Sequence, residues 1–276
     1  MSDRYRRILD TCQPYLISAA HGGDVGPRPL PFGLAVAPEH VFDPFAVASG
    51  PFLQHLQRLD ELTFGPVGMP MPRWVFYDCA ELPGGIVGFC RPAAALPEWV
   101  RRALSVPNGH DGPVPLSMYV AIPMLAPGCW HTYTLCSLGE VAPGTVPANL
   151  ALLTEALGLS AFPIETAYGA TQWRSPKLAV HLRFGPLELV TAWTPAHSDP
   201  TTLTFRMAVD RDRVERALST DEPAPVDADT VRWLDCDEPA DMQALQAELE
   251  TGRRFQLVGQ PVVRGACTRM PIQELS

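Results

Sequence analysis

Charge is scarce in this chain: Asp, Glu, Lys and Arg make up only 18% of its 276 residues. From Gly112 to Gly139 there is none, and between Asp111 and Glu155 the only charge is Glu140. A basic surplus is missing as well, with 21 Lys+Arg against 30 Asp+Glu and a net charge of -9. Without a basic field to release phosphate counterions or attract anionic headgroups, the composition excludes general nucleic-acid and membrane-surface binding. No apolar run follows the opening MSDRYRRILD, so the sequence predicts no secretory signal and a cytoplasmic protein. The seven cysteines show no C-x-x-C and no zinc-ribbon spacing, which predicts reduced, buried thiols and no metal. A nucleophile elbow, a phosphate-binding P-loop, a dinucleotide G-x-G-x-x-G and a zinc H-E-x-x-H are all absent.

What is present is apolar: 46% of the residues are hydrophobic, enough to bury a core and to exclude disorder as the main state. Pro113, Pro115, Pro123 and Pro127 interrupt the uncharged stretch, and a helix in hydrocarbon could not replace the hydrogen bonds they remove. It therefore reads as buried strands. The acidic surplus is local, because residues 219–250 hold ten acids and one base, Arg232. That segment reads as a solvated linker and helix face.

The expected organisation is a proline-rich wrap over 1–50, an α+β core over 51–218 and an acidic strand-helix-strand extension over 219–276. The wrap carries Pro27, Pro29, Pro31, Pro38 and Pro44. PFLQHLQRLDELTFG predicts an amphipathic helix from Pro51 to Gly65, with Phe52, Leu53, Leu56, Leu59 and Leu62 inward and His55 in solvent. RWVFYDCA (73–80) and GIVGFCR (85–91) read as a hairpin joined by ELPGG, and LSMYVAIPML and CWHTYTLCSL as two strands around Ala126-Pro127-Gly128. Further on come a helix over 148–159, a strand over 165–173 and a helix opened by Ser175-Pro176 and closed by Gly185. Strands over 187–196 and 202–209 follow; in the latter Leu203, Phe205, Met207 and Val209 share one face.

Three groups of residues are candidates for chemistry. On CWHTYTLCSL, alternation puts His131 and Tyr133 on one face, a possible base and acid or else a hydrogen-bonded core pair. Asp78 shares a strand face with Trp74 and Phe76, whose apolar setting would raise its pKa, unless water or a turn amide satisfies it. His197 and Asp199, in TPAHSDP, are either a metal half-site or a hairpin turn. His181 reads as structural, and Cys136 becomes a nucleophile only beside a histidine.

The element order is helix, two strands, a strand ending near 138, helix, strand, helix and two strands. Together with the phrases GGIVGFC and WRSPKLAVHLRFG, it resembles the GNAT acyltransferases over about residues 50–210. The resemblance implies a central mixed, mostly antiparallel sheet flanked by helices. It also implies transfer of an acyl group from acyl-coenzyme A or a carrier-bound thioester to a small-molecule acceptor, at the splay between the strand ending at Ser137 and the strand 165–173. The family's pyrophosphate loop falls on SLGEVAPGTVPAN, making Ser137, Leu138, Gly139 and Asn149 the cofactor-binding positions. That stretch departs from the family pattern in having Pro143, Pro147, no arginine and an acid, Glu140. Two other readings remain open: a metal-dependent enzyme using His197 and Asp199, and a non-catalytic binding or scaffold protein.

Overall fold

The near-uncharged middle of the sequence does fold as strands. A computed structural model of the protein describes residues 3–19, 33–81, 85–220, 231–264 and 267–276. The fold is α+β, and the chain divides into two compact units. Unit 1 takes residues up to Leu125 together with Thr132–Pro163, and unit 2 takes Ala126–His131 and Ile164–Ser276. Among the described residues no helix is long and apolar enough to cross a membrane.

Unit 1 begins with α1 (Asp3–Leu9), β1 (Gln13–Ile17), β2 (Val41–Phe42), α2 (Gly50–Phe64) and α3 (Arg73–Glu81). It continues through β3 (Gly85–Pro92), α4 (Glu98–Ala103), β4 (Pro113–Pro115) and β5 (Ser117–Pro123). β6 (Cys129–Ser137), α5 (Leu138–Val141) and α6 (Leu150–Ala161) follow, β6 giving its first three residues to unit 2. The strand order runs β2-β1-β3-β5, with β4 also on β3; β1 and β2 are parallel, and β3 is antiparallel to β1, β4 and β5.

α6 covers β3 and β5 with Leu150, Leu153, Ala156 and Leu157, all buried. Each buried leucine contributes about 1.5–3 kcal/mol relative to an exposed one. Two glycines let the layers approach. A Cβ on Gly88 would lie 2.1 Å from the Ser117 carbonyl oxygen, and one on Gly158 would lie 2.1 Å from the Tyr119 ring. Through the first gap the Tyr15 hydroxyl donates to Ser117 O at 2.8 Å.

Residues 73–81 correct the sequence reading, since the expected strand is the helix α3. Its buried residues are Val75, Phe76 and Cys79, a helical spacing, while Trp74, Tyr77 and Asp78 face solvent. Aromatic and β-branched content favours strands only where a pleated, half-buried surface receives it. The expected 82–84 turn, Pro27, Pro29, Pro31 and the linker over 221–230 lie outside the described residues.

Unit 2 contains β7 (Thr166–Gln172), α7 (Pro176–His181), β8 (Leu187–Thr191), β9 (Thr202–Ala208) and α8 (Arg211–Ala217). It ends with β10 (Arg232–Asp235), α9 (Pro239–Glu250), β11 (Arg254–Leu257), β12 (Val262–Arg264) and β13 (Cys267–Leu275). The order β7-β9-β8-β11-β13-β10 is antiparallel at each of these pairings, and β12 pairs β13. β9 alternates as its sequence predicts, burying Leu203, Phe205 and Met207. On the other face Arg206 meets Glu188 of β8 through two hydrogen bonds of 2.9 and 2.7 Å, and Arg254 of β11 adds a third at 3.0 Å. Ser175 caps α7 by accepting the Lys177 N–H, as expected. The acidic segment is partly neutralised: Glu248 binds Arg232 and Arg253, and Asp237 binds Arg174.

Candidate functional site

Three titratable residues of unit 1 are linked electrostatically: Asp60 of α2, Cys79 of α3 and Tyr133 of β6, whose phenol is influenced by the other two. Asp60 is fully buried; its Oδ2 accepts the Met71 N–H at 2.6 Å, and its Oδ1 has no hydrogen-bond partner. Burial pushes its pKa up to about 6, against the pull of the Met71 hydrogen bond. Cys79 is also buried, and desolvation followed by the nearby Asp78 charge raises its thiol to about 11, so it stays protonated and unreactive. Tyr133 is 45% exposed. Its phenol is raised above the ordinary value by partial burial, then by Cys79 and Asp60, so it is a protonated donor at neutral pH. Tyr133 can supply a proton at the surface, and Asp60 can hold one in the interior.

Of the positions implied to bind a cofactor, Ser137, Leu138 and Gly139 present N–H groups that already have acceptors. Ser137 N–H donates to Glu140 Oε1 at 2.8 Å, Leu138 N–H to Leu116 O at 2.7 Å and Gly139 N–H to Ser137 Oγ at 3.3 Å. Ser137 and Glu140 form a capping box on α5. The protein's own carboxylate thus stands where an incoming anion would. Gly139 is held to a small residue, because a Cβ there would lie 2.9 Å from Val146 Cγ2. Asn149 begins α6 in the left-handed conformation, φ 68°, without a capping bond from its side chain.

His131 is the last residue that unit 2 takes from β6; it is half-buried, and desolvation lowers its pKa, which keeps the imidazole neutral at pH 7. Asp78 lies on the solvent face of α3 beside Trp74 and Tyr77, while Phe76 points inward, so the apolar setting expected for it on a strand is not there. His197 and Asp199 build a turn. His197 Nδ1 accepts the Asp199 N–H at 3.1 Å, and Asp199 Oδ1 accepts from Thr201 N–H and hydroxyl at 2.9 and 2.6 Å. Cys136 is buried in the core. His181 is buried beside the Phe205 ring at 5.2 Å.

One further cluster in unit 2 brings ligand atoms of Asp235, Asp237 and Cys267 within 4.8 Å of one another. Its atoms are already engaged: Cys267 Sγ donates to Asp235 Oδ2 at 2.9 Å, Thr268 N–H donates to Asp237 Oδ2 at 2.6 Å, and Arg174 binds Asp237. These bonds fold the β10–β13 end.

Two functional candidates escaped the sequence reading. His55, expected in solvent, is 2% exposed, and its Nδ1 bonds Leu104 O at 3.1 Å. Asp60 was not singled out at all. The signal was there: His55 follows Phe52 by three and Asp60 follows Leu56 by four, so both fall on the apolar stripe of α2. No protein-family model matches this chain, and no curated protein matches it either.

Proposed function

We propose that the protein is an acyltransferase that moves an acyl group from a thioester to a small amine. The observation that carries this reading is the order of the major elements. β3, β5, β6, α6, β7, α7, β8 and β9 run strand, strand, strand, helix, strand, helix, strand, strand, the order that the resemblance to the GNAT acyltransferases implies, with a 3-10 turn (Ala93–Ala95), α4, β4 and α5 between them. With 73–81 a helix, β3 becomes the first strand of that run.

In this reading the amine nitrogen attacks the thioester carbonyl, the C–S bond breaks, and the thiolate takes its proton from Tyr133. Partial burial, then Cys79 and Asp60, raise that phenol. The amine proton passes to water. The exposed face of α3, with Trp74, Tyr77 and Asp78, has the aromatic and acidic character that attracts a cationic amine. Because the N–H groups of 137–139 already have acceptors, Glu140 taking that of Ser137, the donor favoured is one that brings no pyrophosphate to them, such as a carrier-bound thioester.

The test is thiol release from acetyl-coenzyme A and from acetyl-pantetheine with a panel of primary amines, run beside a thermal-shift series with both donors. Amine-dependent release that falls about 100-fold in Tyr133→Phe, with an unchanged melting temperature, is the expected result. No release and no stabilisation at millimolar donor would remove the proposal.

A further inference from the structure

α2 and the loop after α4 bring two imidazoles together in unit 1. His55 of α2 is 2% exposed, and its Nδ1 meets Leu104 O at 3.1 Å. A carbonyl only accepts, so Nδ1 carries the proton and Nε2 is left as a bare lone pair. This Nε2 is buried without any partner, and so is Nε2 of His110. The two rings stand edge to face, their centroids 5.2 Å apart and their planes at 71°. Gly112 makes room for the second ring, since a Cβ there would lie 2.9 Å from His110 Cε1 and 3.0 Å from its Nε2.

Two buried ring nitrogens without partners are costly unless something binds them. A water or a shared proton is one answer, but the ring spacing points to another. With metal–nitrogen bonds of about 2.0–2.1 Å and each nitrogen about 1.1 Å from its ring centre, two imidazoles on a tetrahedral ion have centroids ~5 Å apart. That matches the observed separation. The Leu104 carbonyl plays the part that an outer hydrogen bond plays for metal-bound histidines, fixing tautomer and ring orientation.

We propose that His55 and His110 bind a divalent zinc ion through their Nε2 atoms, leaving two coordination positions for water or an exogenous ligand. Imidazole suits zinc, and among the described residues no third His, Cys, Asp or Glu completes a closed structural set around this pair. This is an open site on a two-histidine clamp, independent of the acyl-transfer reading.

Calorimetric titration of the full, chelator-treated chain with zinc chloride tests it, with far-UV circular dichroism to verify folding. One ion per chain is expected for the wild type and for His197→Ala, and binding at least 10-fold weaker for His110→Ala and His55→Gln. Gly112→Ala, which crowds the His110 ring, should weaken zinc too and serves where His55→Gln does not fold. Absence of binding by the wild type at 1:1 stoichiometry, or full binding by folded His110→Ala, would overturn the proposal.

Discussion

Asp60 holds the backbone N–H of Met71 at 2.6 Å with one carboxylate oxygen while the other oxygen, equally buried, has no partner. Such a group is stable as an acid and costly as an anion. Its pKa rises from 3.8 in the unfolded chain to about 6 in the fold, so the folded state holds the proton more tightly. Stability therefore falls as pH climbs from about 4 to about 6, and the full penalty applies above that window. Asp60→Asn keeps an acceptor for Met71 and removes the charge. It should stabilise the protein by up to about 3 kcal/mol at pH 8 and have little effect at pH 4, read by urea unfolding at the two pH values.

Glu188 shows the opposite sign. Its two arginine partners, Arg206 first, hold its pKa at about 2, against 4.5 when unfolded. The contribution is complete above pH 4.5 and is lost as pH falls through about 2. Its side chain is 21% exposed, so solvent screening reduces the worth of the pair to about 1–2 kcal/mol. Glu188→Gln should lose that amount at pH 7 and flatten the acid limb of the stability profile, measured by denaturant unfolding between pH 2 and 7.

Gly158 and Gly88 face a ring and a carbonyl at distances no Cβ tolerates. Gly158→Ala should displace Tyr119 and cost about 1–3 kcal/mol despite the better helix propensity of alanine. Gly88→Ala should cost more, because the obstacle is backbone and the Tyr15–Ser117 bond is lost with it. Thermal melts of the two variants, ranked against wild type, check both sign and order.

Glu140→Ala removes the carboxylate that bonds the Ser137 N–H. The lost cap should cost about 1 kcal/mol. It also frees that donor for a phosphate, so coenzyme A should raise the melting temperature of the variant more than that of the wild type. Equal shifts in both proteins would show that this carboxylate does not govern the anion.

The sequence was legible where local signals agreed. α2, with Pro51, its apolar stripe and Gly65, and α7, with Ser175-Pro176, came out as read, as did the strands on either side of Ala126-Pro127-Gly128. It misled where propensity and packing part company, as in 73–81, whose strand-like composition packs as a helix. β1 and β13 were not anticipated because Pro14 and Pro271 sit inside them; Pro271 lacks an N–H yet gives its carbonyl to Val258 N–H at 3.2 Å. In the candidate site, Ser137-Leu138-Gly139-Glu140 spelled a capping box that the sequence reading took only as an obstacle to phosphate. That Cys79 and Asp60 influence the Tyr133 phenol depends on three elements far apart in sequence, which no local pattern encodes.

β6 belongs to both units, and this orders the birth of the molecule. The residues of unit 1 are all made by Pro163, whereas those of unit 2 comprise a short early piece, Ala126–His131, and the run from Ile164 onward. No single cut of the gene yields two self-sufficient halves. A fragment ending at Pro163 would carry an orphaned hairpin tip, and one beginning at Ile164 would lack its first strand residues.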